Sequence, residues 1–77
     1  MIRAYTEIVD FIAGGNTPAS VANFTASEET KNRVGDLLAK EKFESLSTEE
    51  KAELDHFLEV EHIMRLAKAK ARKIAGE

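Results

Sequence analysis

The sequence predicts an all-α fold in which three short helices pack on one long C-terminal helix. Apolar residues recur every three or four positions along most of the chain, and no useful stretch alternates apolar with polar residues. Residues 48–75 contain neither proline nor glycine. The 77 residues make one domain at most, and we expect helices at about residues 2–13, 18–23, 28–42 and 48–75.

The first helix is predicted from apolar residues at helical spacing. Its main face consists of Ile2, Tyr5, Val9 and Ile12, and Ile8 and Phe11 widen it. The pair Gly14–Gly15 supplies a flexible end for this helix.

The second and third helices are predicted from their start signals. Thr17 can accept a hydrogen bond from free helix N–H groups, and Pro18 fits the first helical position because no N–H is needed there. Ser27 opens the third helix in the same way. Its apolar face is Val34, Leu37 and Leu38, and we expect Phe43 and Leu46 to turn inward after it.

The fourth helix begins with Ser47 and Glu50, which match the capping-box spacing. An uninterrupted helix from there is about 40 Å long. A seam of apolar residues at steps of three and four runs along it: Phe57, Val60, Met64, Ala67, Ala71 and Ile74. We call this the inner seam.

The apolar arc of this helix is wider than the roughly 100° needed to cover its own bundle, because Leu54 and Leu58 lie to one side of the inner seam and Ile63 and Leu66 to the other. Either the short helices wrap around it, or part of the surface meets another chain. We favour a homodimer. Its predicted interface is Phe57, Val60, Ile63, Met64, Ala67 and Ala71, the small alanines allowing two backbones to approach.

Charge is distributed unevenly. Residues 65–77 hold five bases and one acid, whereas residues 1–64 hold thirteen acids and six bases. Arg65, Lys68 and Arg72 share a basic face, which either complements the helix dipole or meets an acidic protein or nucleic acid. No aromatic residue accompanies them for base stacking.

Metal binding and catalysis find little support. Two Glu-x-x-His spacings, Glu53 with His56 and Glu59 with His62, are of the type used in di-iron helical bundles. The two histidines point about 120° apart on the helix, so they cannot serve one site within a chain. We therefore expect no metal site and no cofactor, and we expect that the protein is not an enzyme.

The composition indicates a cytoplasmic protein. There is no cysteine for disulfides, no apolar run as long as a membrane span, and no signal-peptide pattern at the start of the sequence. A chain of this size buries a limited core and often needs a partner.

Part of the chain resembles a known group. The segments R-V-x-D-L-L-A-K, L-S-T-E-E-K-A-E-L-D and L-E-V-E-H-I-M-R-L-A-K-A-K-A-R, within residues 33–73, are similar to a loose group of short, uncharacterised bacterial all-helical proteins. Some members are suspected antitoxin-like partners of small toxins. The resemblance implies a toxin-like protein partner, although the N-terminal third lacks the DNA-binding elements that antitoxins often carry.

The favoured function is a non-enzymatic protein–protein interaction module, antitoxin-like or regulatory, that self-associates through its C-terminal helix. One alternative is a nucleic-acid-binding regulator that uses the basic end. A second alternative is a helical metal protein of the di-iron type.

Overall fold

The computed structural model describes residues 3–75, which contain four helices and no strand. The helices are α1 (Thr6–Ala13), α2 (Pro18–Ala22), α3 (Glu28–Phe43) and α4 (Thr48–Ala75). The 28 residues of α4 span about 42 Å, close to the 46 Å long dimension of the molecule. The other three helices pack against α4. The predicted all-α fold is confirmed.

The start signals of α2 and α3 act as the sequence predicts. The Thr17 hydroxyl accepts a hydrogen bond from the Ser20 N–H at 3.2 Å. The Ser27 hydroxyl accepts one from the Thr30 N–H at 3.3 Å. Each bond satisfies an N–H group that the first turn of a helix leaves without an internal partner, so these helices begin where their caps place them.

The start of α4 is a complete capping box. The Ser47 N–H donates to the Glu50 carboxylate at 2.9 Å, and the Glu50 N–H donates to the Ser47 hydroxyl at 3.1 Å. Lys40 of α3 also donates to Glu50, at 2.9 Å. The Ser47 N–H, together with the Lys40 ammonium, lowers the pKa of Glu50 to about 2. Through these hydrogen bonds the Glu50 carboxylate connects the turn before α4 to α3.

A buried carboxylate joins three parts of the chain. Glu53 of α4 is 3% exposed. It accepts hydrogen bonds from Arg33 of α3, at 2.9 and 2.7 Å, and from the N–H of Ala4, at 2.7 Å. The Arg33 hydrogen bonds, with the Ala4 N–H, lower the pKa of Glu53 against the opposing effect of burial. Ala4, Leu37 and Leu54 form the adjacent buried core, against which Val34, Leu46 and Phe57 pack.

The first helix begins later than predicted. Residues 3–5 form a turn that is closed by a hydrogen bond from the Thr6 N–H to the Arg3 carbonyl, at 3.1 Å. The turn places the Ala4 N–H on the Glu53 carboxylate. The predicted start at Ile2 lies outside the described residues.

The buried face of α1 also differs from the predicted one. Ile8 is 2% exposed, whereas Val9 and Ile12, predicted on the main apolar face, are 41% and 50% exposed. The Glu7 carboxylate accepts a hydrogen bond from the Ser27 N–H at 2.8 Å. This tertiary hydrogen bond helps to fix the rotation of α1 about its axis. The centre of the buried face is therefore at Ile8 rather than at the adjacent Val9, a rotation of about 100°.

The inward turn predicted after α3 is half correct. Leu46 packs against the core, but Phe43 is 77% exposed. The helix continues to Phe43, which lies six residues beyond the buried Leu37 and therefore about 240° around the helix from it. Leu38, 100° from Leu37, is 47% exposed for the same geometric reason.

Replacing Glu53 by glutamine should destabilise the fold. A neutral amide offers one oxygen to Arg33 and the buried Ala4 N–H, so we expect a loss of about 2 kcal/mol in the free energy of unfolding. Urea denaturation followed by circular dichroism measures it. Glu41→Gln, at an exposed position of α3, is the matched control and should change stability by less than about 0.5 kcal/mol.

Stability should fall in acid because two carboxylates have lowered pKa values. Glu50 and Glu53 bind protons more readily in the unfolded chain than in the folded one, so their stabilisation is present above the ordinary pKa of 4.5 and is lost as the pH falls towards about 2. Urea denaturation between these pH values should show this decline. Glu50→Gln should have a shallower pH dependence; an identical slope would contradict the assignment.

Candidate functional site

Part of the predicted partner interface is covered by the chain itself. Met64 and Ala71 are only 4% and 5% exposed, and Phe57 packs against the core. Val60 and Ala67 are half-buried. Met64 and Ala71 are thus core residues, and the prediction that they contact a partner is corrected: the short helices wrap around this part of the inner seam.

The small residues of α4 accommodate α2. The helix α2 makes the most extensive contact with α4, and Val21 lines a groove with Ala67 and Ala71. Alanine side chains permit close approach of two backbones, as the sequence indicates, but the second backbone belongs to the same chain. Lys68 holds this region further, because its ammonium donates to the Phe24 carbonyl just after α2, at 2.7 Å.

An exposed apolar surface remains on the side of α4 that faces away from the buried Met64 and Ala71. Ile63, Leu66 and Ile74 are 56%, 59% and 57% exposed. Grooves between α1 and α4 connect this side to the exposed Val9 and Ile12. We call the following residues the α1–α4 apolar face: Val9, Ile12, Val60, Ile63, Leu66 and Ile74.

The basic residues do not form a free cationic stripe. Arg65 donates to Glu61 on the preceding turn of α4, at 2.5 Å, and the Lys68 ammonium is bound to the Phe24 carbonyl. Arg72 is exposed. Instead, these three bases and the Glu61 carboxylate lie at the edge of a cleft of about 300 Å³. We call it the basic-rimmed cleft.

Apolar side chains make up much of the remaining lining of this cleft. They come from α1, from the segment after α2 and from α4: Ile8, Phe24, Phe57 and Met64. The Phe24 ring lies 4.5 Å from the ring of Phe11, which fixes one side of the cleft. Apolar lining beside guanidinium groups suits an apolar group that carries a negative charge.

The four candidate metal ligands are not brought together. Glu53 is buried and bound to Arg33, so it is corrected from a metal candidate to a structural residue. The His56 ring packs edge-on against Tyr5, with centroids 5.6 Å apart, and its Nδ1 lies 3.6 Å from Glu59. His62 is exposed. Within residues 3–75, no three histidine, cysteine or acidic side chains are placed to share a metal ion.

The sequence indicates the excess apolar surface, but the interface predicted from it includes Met64 and Ala71, which are buried. Ile63 and Leu66 flank the inner seam, and their exposure matches an apolar arc wider than one bundle needs. Periodicity does not identify Val9 and Ile12 as part of this exposed surface, because their spacing equally suits a buried face. The available signal was the pair Ile8 and Val9, of which only one can point into a narrow interface.

Comparison of the chain with protein-family models, with curated proteins and with solved structures finds no match in any of the three. The resemblance over residues 33–73 therefore stays a prediction. Among the described residues, none of the helices combines the length and apolar character that crossing a membrane requires.

Truncating core and surface positions of α4 should have different effects. Met64→Ala should lower the free energy of unfolding by about 3 kcal/mol, because it opens a cavity at a buried site, whereas the adjacent Ile63→Ala should lower it by less than about 1 kcal/mol. Urea denaturation, at a concentration where the chain is monomeric, measures both. Equal losses would contradict the division of α4 into a buried and an exposed side.

Proposed function

We propose that this chain is a non-enzymatic protein–protein interaction module that self-associates through the α1–α4 apolar face. The observation that carries the proposal is the exposure of Ile63 and Leu66, which are about one turn apart on α4 and are each more than half open to solvent. Ile74, which is equally exposed, lies about two turns further along the helix. Contiguous exposed apolar surface of this kind is typical of interaction sites. Val9 and Ile12 extend it onto a second helix.

The small size of the chain favours a second copy as the occupant. Among the described residues, only a few apolar side chains are fully buried, and eight large apolar side chains are substantially exposed. Pairing two copies would remove such a surface from water on both partners at once, because a two-fold interface uses the same patch twice. Self-association would thus add burial that a 77-residue chain cannot obtain alone.

The basic-rimmed cleft is the proposed contact for a different protein, of the antitoxin-like or regulatory type that the resemblance implies. Its apolar lining and the exposed guanidinium group of Arg72 suit an acidic amphipathic segment. The Arg65 guanidinium lies in the same cleft and is paired with Glu61, so an acidic partner would compete with this carboxylate. The proposal that this partner is a small toxin is based on the resemblance. The proposal that the protein is cytoplasmic is based on its composition.

A charge-reversed variant tests this second contact. Tagged wild-type chain and an Arg65→Glu, Arg72→Glu variant are used to capture proteins from the native host, followed by mass spectrometry. We expect an acidic protein that is retained by the wild type and lost from the variant. Capture of the same proteins by both would contradict the assignment. Salt-sensitive retention of nucleic acid, lost in the variant, would instead favour the nucleic-acid alternative.

Self-association should depend on Leu66. We expect wild-type protein to form a dimer in sedimentation equilibrium, and Leu66→Asp to weaken it about 100-fold, because each dimer loses two buried leucines and gains two carboxylates. Leu58→Asp is the matched control. Leu58 is 48% exposed on the same helix but lies outside the α1–α4 apolar face, about 140° from Ile63 and about 80° from Leu66 around the helix and about two turns from Leu66 along it, so this variant should dimerise like the wild type. A wild-type chain that stays monomeric at millimolar concentration would refute the proposal.

A further inference from the structure

A second heptad pattern runs along the exposed side of α4. Its positions follow steps of four and three residues, the spacing of a coiled-coil contact. They are Ala52, His56, Glu59, Ile63, Leu66, Lys70 and Lys73, and all seven are exposed. We call them the outer seam. It lies one residue from the inner seam along most of the helix. The bundle covers most of the inner seam and leaves the outer seam exposed, although the His56 ring also contacts Tyr5.

Resting on the proposed self-association, we propose that two copies pair antiparallel through the outer seam. In this register, Ile63 of each copy packs on Leu66 of the other, and Glu59 of each copy faces Lys70 of the other. The two-fold axis passes between residues 64 and 65. The proposal thus names the orientation of the dimer and the residues that select it.

The register follows from the symmetry of the seam about its centre. In an antiparallel pair, each layer joins one type of heptad position to the other type. The pairs 63 with 66, 59 with 70 and 56 with 73 all share the midpoint between residues 64 and 65. A single two-fold axis at this point therefore brings the two exposed aliphatic residues together at the centre of the contact.

The charges favour this orientation over a parallel one. With the helices antiparallel, the Glu59 carboxylates meet the Lys70 ammonium groups on both sides of the apolar centre. With the helices parallel and in register, Glu59 would face Glu59 and Lys70 would face Lys70. Like charges placed opposite each other suppress the wrong arrangement. The Glu59 side chain is 73% exposed and is therefore available for this role.

The flanks of the outer seam are consistent with the same arrangement. On one side lie Val60, next to α1, and Ala67 and Ile74, next to α2; on the other side lie Asp55, His62 and Ala69. An antiparallel two-fold pair places each flank against its own copy. The apolar flank, with Val9 and Ile12 of α1, thus faces an apolar flank, and the mainly polar flank faces a polar one.

Charge exchange tests the register. At low ionic strength, Glu59→Lys and Lys70→Glu should each weaken the dimer about tenfold, since each variant creates two repulsive pairs, and the double variant should return to within about threefold of the wild type. Lys42→Glu, at an exposed position of α3 that belongs to neither proposed contact surface, is the control and should leave dimerisation unchanged. Far-UV circular dichroism confirms that each variant is folded.

Cross-linking supplies an independent reading of orientation. Because the chain has no cysteine, single cysteines can be introduced without interference. Oxidising a mixture of Glu59→Cys and Lys70→Cys chains should give mainly the mixed disulfide. The two copies of position 59 are separated by about 16 Å along the helix axis in the antiparallel register, beyond the reach of a disulfide, so Glu59→Cys alone should cross-link poorly.

The outcomes separate this inference from the function on which it rests. A dimer in which single charge reversals change nothing, and in which Glu59→Cys cross-links readily to itself, would overturn the antiparallel register and leave self-association intact. A dimer that is weakened by the single reversals but not restored by the double variant would also overturn it. A monomeric wild type would overturn both proposals.

Discussion

The buried carboxylate of Glu53 is the interaction on which the arrangement of the helices depends. It lies on the long helix but binds Arg33 of α3 and the backbone of Ala4 before α1. A buried carboxylate is unfavourable unless its oxygens are hydrogen-bonded, so both elements must reach it together. Apolar contacts alone would allow the short helices to pack on α4 in several rotations about their axes. The hydrogen bonds to the Glu53 carboxylate allow only one of these rotations. Glu53 binds the N–H of Ala4, 49 positions away in the sequence. This contact helps to set the position and rotation of α1, and hence which residues of α1 stay exposed.

How far the sequence predicts the structure depends on the range of the interaction. The caps formed by Thr17, Ser27 and Ser47 are hydrogen bonds across three residues, so the sequence shows them directly. The rotation of α1 depends instead on Glu7 and Glu53 meeting groups 20 and 49 residues away. No local pattern decides between Ile8 and Val9, which are adjacent and both apolar.

The same distinction explains the outcome for the candidate site. Periodicity along α4 predicts a surplus of apolar surface, but two seams one residue apart fit the period nearly as well. Tertiary contacts determine which of the two seams the bundle covers. These contacts include the packing of α2 on the alanines of α4 and the hydrogen bond from Lys68 to the Phe24 carbonyl. The alanines thus have an internal partner. The inner seam is buried or half-buried except at Ile74, whereas every residue of the outer seam is exposed.

The five-residue helix α2 has a consequence for the dynamics of the chain. A helix of this length has no stability of its own, so its amide hydrogens are protected only while the segment stays docked on α4. Detachment requires loss of the Lys68 hydrogen bond and of the contacts with the two alanines, but it leaves the Glu53 cluster intact. The C-terminal half of α4 can therefore open to solvent by a local fluctuation of lower free energy than global unfolding. In native-state hydrogen exchange, the chain would then behave as two cooperative units that share one continuous helix.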